Sequence, residues 1–339
     1  MVRGESLYFT GPNQVQIEQS KIDQLASNQI LVQAIVSGIS PGTEMLMYRG
    51  QFPEGLAADS TIDSLAEPLA YPFKYGYAMV GQIIECGAEV DKSWLNQRVF
   101  AFHPHESHFI TQPEHVIPLP DEISSDTAVL LPNMETAVSF IMDGQPAIGE
   151  KVFVIGQGIV GLLTTALLAQ FPVQAIITAD FHTGRREWAK KLGATASYHP
   201  VEDIDALKTH LHTKDYQGAD LSYELSGNPK ALNLGVELTG YNGRLVIGSW
   251  YGQKTAPVQL GGHFHRSQMQ IISSQVSLIA PQWNGRWSKS RRFELAMQQL
   301  TKINVKDLIT HKFDFASAPK AYKQLANHPE STLQILFTY

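Results

Sequence analysis

Gly156-Gln157-Gly158-Ile159-Val160-Gly161 reads G-x-G-x-x-G, the pattern of a backbone cradle for phosphate. An apolar run at 151–155 precedes it and a longer one at 159–170 follows, so the glycines sit where a strand turns into a helix. In that context Gly156 permits the tight turn, Gly158 lets the backbone approach a pyrophosphate, and Gly161 lets the helix pack on the strand. Gln157, Ile159 and Val160 complete the turn, and the helix N-terminus favours the ligand's negative charge. Asp180 closes the next apolar run, 19 residues after Gly161. A carboxylate there accepts hydrogen bonds from ribose hydroxyls and repels a 2′-phosphate, which favours NAD. Arg185 and Arg186 follow it and are able to accommodate that phosphate, so NADP stays open. The plain alternative is an Asp180 that caps its own turn beside solvated arginines.

Other residue types with chemistry are scattered. His103, His105, His108 and Glu106 form HPHESH, and alternation puts His103 and His105 on one face of a strand. A metal needs convergent geometry that this spacing does not prove, so the stretch reads as a polar loop able to line a cleft, with a relocated metal site as the alternative. His263 and His265 in GGHFHRSQ read as loop residues near a cofactor or a subunit contact. Trp250-Tyr251, and Trp283 and Trp287 around NGRWSKSRR, offer aromatics and guanidinium groups for a planar or anionic ligand. The second of these stretches reads as a solvated loop. Cys86 is the only cysteine, which excludes an intrachain disulfide and any zinc site built on two thiolates.

The elements around these residues fall into two textures. Short β-rich runs at 29–36, 80–86, 97–102 and 108–117, separated by Pro/Gly turns, suggest a small barrel. An apolar helix is expected at 126–142, capped by Ser124 or Ser125. From 150 on, strands at 151–155, 174–179, 221–225, 243–249 and 270–274 alternate with helices at 159–170, 184–192 and 229–238. This is the signature of an α/β, doubly wound parallel sheet. Ser249 and the pair Ser274-Gln275 fall at its carboxyl edge, where ligands bind in such sheets. Helices at 292–301 and 318–326 and a strand at 332–337 end the chain, and that strand suits the first texture better. The stretch 59–70 looks like an insertion able to lid a site.

The chain has 339 residues, 43% hydrophobic and 17% charged, enough to bury a large core in about two domains. Its formal net charge of −6 gives no global attraction to nucleic acid or anionic lipid. The uncharged stretch 152–171 is long enough to span a bilayer, but its glycines favour strand, turn and helix. The opening MVRGESLYFTGPNQ lacks an apolar signal core, which points to the cytoplasm.

VSGISPGTE (36–44), VGQIIECGAEV (80–90), KVFVIGQGIVG (151–161), KKLGAT (190–195), YELSGNPKAL (223–232) and GRLVIGS (243–249) carry a family resemblance. Over essentially its whole length the chain resembles the medium-chain dehydrogenase/reductase, or alcohol dehydrogenase-like, superfamily. SGISPGTE is similar to the bacteriochlorophyllide dehydrogenase-like branch. The resemblance implies a GroES-like β-barrel catalytic domain in 1–133, a Rossmann NAD(P)-binding domain in 134–279 and a return to the first domain in 280–339. It also implies a cleft between the domains and a homodimer. Zinc-dependent relatives carry a cysteine where this chain has Ser40 and Gly-His-Glu where it has Gly76-Tyr77-Ala78. Their third ligand lies in the segment here reading LPNMET, 131–136. Serine, tyrosine and asparagine are poor zinc ligands, so no metal is expected. Tyr77, a phenol with an ordinary pKa of about 10, then becomes the candidate donor to a substrate oxygen, or else fills the vacated space. Thr43 resembles the family's hydroxyl relay, followed by the usual acid, here Glu44, and Thr136 stands where the family sets a threonine against the nicotinamide. The function implied is a zinc-independent NAD(P)-dependent oxidoreductase acting on a small alcohol/carbonyl substrate. Reduction of an enone or quinone, and a non-catalytic NAD(P)H-binding sensor, are the alternatives.

Overall fold

A computed structural model describes residues 3–53, 55, 57, 62, 65, 66, 68–212 and 217–339. Half of the stretch 59–70, expected as an insertion, lies outside the described residues. The chain divides into two compact units, residues 1–132 with 300–339, and residues 133–299.

The first unit is built on β1 (Arg3–Gly11), β2 (Gln14–Lys21), β3 (Ile30–Gly38), helix α1 (Pro41–Arg49), β4 (Phe73–Lys74), β5 (Met79–Cys86), β6 (Arg98–Ala101), β7 (His108–Thr111) and β8 (Val116–Pro118). β1 pairs with β2 and β4, while β3 lies at the centre of a second, larger sheet between β5 and the C-terminal strand. The hairpin β1–β2 is absent from the sequence reading. Its apolar side chains Leu7 and Phe9 nevertheless face inward at period two, as a half-buried strand requires. The helix expected at 126–142 is two, α2 (Ser125–Ala128) and α3 (Leu131–Gly144). Ser124 caps the first, accepting the Thr127 backbone N–H. Pro132 stands in the first turn of α3, where a missing N–H costs nothing.

The second unit runs β9 (Lys151–Ile155), α4 (Ile159–Leu168), β10 (Ala175–Ala179), α5 (Thr183–Lys191), β11 (Ala196–Tyr198), α6 (Ile204–Leu211), β12 (Ala219–Glu224), α7 (Ala231–Leu238), β13 (Thr239–Ile247), β14 (Gln270–Ser273) and α8 (Lys289–Lys302). Its six strands are all parallel, in the order β11-β10-β9-β12-β13-β14. The order reverses between β9 and β12, the switch point at which such sheets bind ligands. Every residue of β9 and β10 is buried, as a parallel strand covered on both faces demands. The stretch 152–171 is thus strand, turn and a ten-residue helix. Among the described residues no helix is long and apolar enough to cross a membrane.

The second unit extends past 279, the boundary implied by the resemblance, because α8 is tied to α3. Arg292, fully buried on α8, donates to Glu135 Oε1 and to Ser139 Oγ at 2.7 Å. The chain then returns to the first unit as β15 (Ile309–Asp314), α9 (Ala318–Asn327) and β16 (Gln334–Thr338), with β16 antiparallel to β3. The first unit's core forms two clusters, one with Leu7, Phe9, Met47, Tyr322 and Phe337 and one with Ile30, Val32, Ile83, Val99 and Phe109.

Candidate active site

Gly156 sits at φ +91°, and a Cβ there would lie 2.6 Å from the Ser226 backbone, so only glycine closes this turn. A Cβ on Gly161 would lie 2.1 Å from the Gly156 carbonyl oxygen. Gly158, the N-cap of α4, differs: a Cβ there meets nothing within 4 Å, so the face of the turn beside it is open. Gly158 makes no side-chain cap, and Ile159, Val160 and Gly161 form the first turn of the helix. Their N–H groups have no helical partner and suit an anion. An open cradle at a helix N-terminus fits a dinucleotide pyrophosphate. The Gln157 side chain turns inward, bonded to the Gly156 carbonyl at 3.1 Å and accepting from Thr165 at 3.0 Å.

Asp180 braces the same turn. Its carboxylate accepts the Gln157 and His182 backbone N–H groups, both at 2.8 Å. Arg186 is occupied by the Asp180 and Phe181 carbonyls and by Thr183. Arg185 lies alongside, 4.0 Å from the Asp180 carboxylate. Ser249 bridges the ends of β12 and β13, accepting from Gly227 N at 2.9 Å and donating to the Glu224 carbonyl. Ser274 donates to Asp143 of α3 at 2.6 Å, and Gln275 bonds only locally, to Ser277. Thr136 is half-buried on α3, one residue after the Glu135 that holds Arg292. Glu224, missed in the sequence, ends β12 with a fully buried carboxylate that accepts from Ser226 and Tyr251. Burial, then that carboxylate, pushes the Tyr251 phenol well above its usual range. An acidic residue closing an apolar strand, as Asp180 does, was the signal available. Trp250 is exposed, while Arg286 and Arg291 stack on Trp283 and Trp287.

The first unit brings Ser40, Thr43 and Tyr77 together. Ser40 is the N-cap of α1, and its backbone N–H is taken by Glu44 Oε1 at 2.7 Å. Its hydroxyl is therefore left to accept from Tyr77, whose oxygen also lies 3.4 Å from Thr43 Oγ1. All three side chains are half-buried. Each hydroxyl both donates and accepts, so a proton can pass among them.

HPHESH is a polar loop leading into β7, and much of it is buried. His105 is fully buried, with Nε2 3.1 Å from Glu44 Oε2 and Nδ1 2.7 Å from Ser37 Oγ. Glu106 is buried too, accepting from Ser6 and Lys74 at 2.6 Å. His103 stacks on Phe109, and burial pushes both His103 and His108 below the usual imidazole range. His263 bonds the Thr239 carbonyl at 2.8 Å, tying its loop to β13. Among the described residues no three His, Cys, Asp or Glu side chains are grouped as a metal ion would require.

Residues 160–302 match the sequence profile of the zinc-binding dehydrogenase family. Over 351 aligned residues the chain is 24% identical to D-guloside 3-dehydrogenase of Escherichia coli K12, covering 99% of this chain and 100% of that one. It is 22% identical to sorbitol dehydrogenase of Bacillus subtilis, covering 73% of this chain and 75% of the relative. Its fold is that of an alcohol dehydrogenase from E. coli CFT073, rspB, solved with NADH, at TM-score 0.79 and 19% identity over 99% of both chains. The chain is an oxidoreductase. Zinc, the ion of the family's name, takes thiolate, imidazole or carboxylate ligands. Ser40 and Tyr77 offer neutral hydroxyls bonded to one another, and Glu135, the carboxylate of LPNMET, is bound by Arg292. This donor set does not fit zinc.

Proposed function

We propose that the chain is a zinc-independent, NAD(P)-dependent oxidoreductase that transfers hydride between a nicotinamide and a small alcohol/carbonyl substrate. It would stand among the zinc-less members, near the bacteriochlorophyllide dehydrogenase-like branch. The observation that carries this reading is the triad of hydroxyls Tyr77, Ser40 and Thr43, in which Ser40 and Tyr77 stand where the resemblance puts two zinc ligands and Thr43 where it puts the hydroxyl relay. The chemistry a bound nicotinamide supplies is hydride donation or uptake. In the reductive direction the substrate oxygen takes a proton from the Tyr77 hydroxyl. Tyr77 regains it through Ser40 or Thr43, and the oxidative direction reverses the path. The turn 156–161 holds the dinucleotide, Asp180 and Arg185 meet its ribose, and Thr136, Ser249, Ser274 and Gln275 shape the nicotinamide end.

NAD is the preferred form. Asp180 repels a 2′-phosphate, and Arg186 is already spent on carbonyls of its own turn. Relatives named for a guloside and for sorbitol support a polyhydroxylated substrate. The exposed edge strand β14, with Ile271 facing out, supports a homodimer.

Tyr77→Phe tests the reading. Turnover on a polyol or its ketone is expected to fall by about ten- to a thousand-fold, the range for a positioned proton donor. NADH affinity, measured by calorimetry, is expected to hold, because the ring remains and the glycine turn is untouched. Thr43→Val is expected to lose less, in the same direction. Full turnover in Tyr77→Phe would contradict the reading and favour a conjugated C=C substrate. NADH binding without turnover on any alcohol, enone or quinone would favour a sensor.

A further inference from the structure

We infer that His105 is the positioning residue of the hydroxyl triad, holding the segment that carries Tyr77 against the turn that carries Ser40 and Thr43; the inference rests on the reading of Tyr77 proposed above. The imidazole has no exposed surface. Its Nε2 faces Glu44 at 3.1 Å and its Nδ1 faces Ser37 at 2.7 Å. A carboxylate only accepts, so Nε2 carries the proton and Nδ1 accepts from the Ser37 hydroxyl, which in turn meets the Tyr339 hydroxyl at 2.8 Å. One ring thereby joins α1 to β3.

The same residue grips the other segment. The His105 backbone N–H donates to the Tyr75 carbonyl at 3.1 Å, two residues before Tyr77. Gly76 stands at φ +122°, and a Cβ there would lie 2.8 Å from the His105 ring. The ring therefore lies flush on the backbone from which Tyr77 projects, and Phe337 closes its other side edge-on at 5.1 Å. Glu44 passes the constraint on. It accepts from His105 and Tyr322 with one oxygen and from the Ser40 backbone with the other. Buried polar groups satisfied at every atom fix geometry, because any other arrangement leaves one unpaired. His105 touches none of the reacting atoms; it acts through Glu44 on Ser40 and through Gly76 on Tyr77.

The test is the full chain labelled with 13Cζ-tyrosine. The resonance lost in Tyr77→Phe is that of Tyr77, and Tyr241, which is exposed, and Tyr198, which bonds His210, are controls. In His105→Leu the Tyr77 resonance is expected to move towards that of Tyr241 while the controls stay in place. Turnover is expected to fall by about ten- to a thousand-fold at unchanged NADH affinity, and the double variant with Tyr77→Phe is expected to lose no more than the larger single loss. His105→Gln, which can still donate to Glu44, is expected to recover part of both. If His105→Leu does not fold, Glu44→Gln decides in the same way, since an amide cannot accept from all three donors. A Tyr77 resonance unmoved in either folded variant overturns the inference. Should Tyr77→Phe keep full turnover, the catalytic reading of Tyr77 falls, and the resonance still decides whether His105 positions it.

Discussion

Gly158 and Gly161 differ by three positions and do opposite work. A side chain at 161 would strike the Gly156 carbonyl, whereas one at 158 would enter open space. Gly158→Val is therefore expected to fold normally and to lose dinucleotide binding, because its side chain fills the cradle. Gly161→Val is expected to lose stability before affinity has meaning. Thermal melts paired with NADH titration separate the two; tight NADH binding to Gly158→Val would remove the pyrophosphate from this turn. The glycine turn between β9 and α4, and the place of Asp180 directly after β10, were legible in the sequence because both follow from short apolar runs and the residues that end them. His105 was not. Its partners Ser37 and Glu44 lie 68 and 61 residues away, and only the folded sheet brings them to the ring.

At the scale of elements, α3 and α8 are joined by a buried ion pair. Arg292 serves Glu135, Ser139 and the carbonyls of Val276 and Leu278, so it also fixes the loop that follows Ser274-Gln275. Arg292→Met is expected to cost about 3–5 kcal/mol in urea unfolding, since it strands a buried carboxylate. Adding Glu135→Leu is expected to recover most of that loss; no recovery would mean that the loop carbonyls carry the effect. Five strands and three helices of 151–274 were readable because those strands are short apolar runs bounded by turn residues, whereas β11, which reads Ala-Ser-Tyr, and α6 after it were not recognised. The hairpin β1–β2 was not recognised, although Gly11-Pro12-Asn13 supplies its turn and Asn13 stands at φ 62°. One face of β2 is open to water, so its apolar alternation is weak. The break between α2 and α3 was likewise hidden inside a continuous apolar run.

Across the whole molecule, buried titratable groups make stability depend on pH. Burial lowers the pKa of His103 and His108, against about 6.5 in an unfolded chain. Between the folded value and 6.5 the unfolded chain binds more protons, so stability rises with pH there and is lost as pH drops below about 6.5. Asp143 is raised by burial and acts in the opposite sense at lower pH, where the fold retains its proton. The midpoint of thermal unfolding is expected to drop on acidification from pH 7.5 to 5.5, and His103→Phe is expected to flatten that slope. An unchanged slope would assign the acid sensitivity to other groups.

The proposed reaction relies on neutral hydroxyls in place of a metal. The most direct measurement is elemental analysis of the purified chain joined to turnover before and after dialysis against a chelator. Well under one zinc per chain, and turnover that survives the chelator, are expected. One zinc per chain, with turnover lost on its removal and regained on its return, would contradict it.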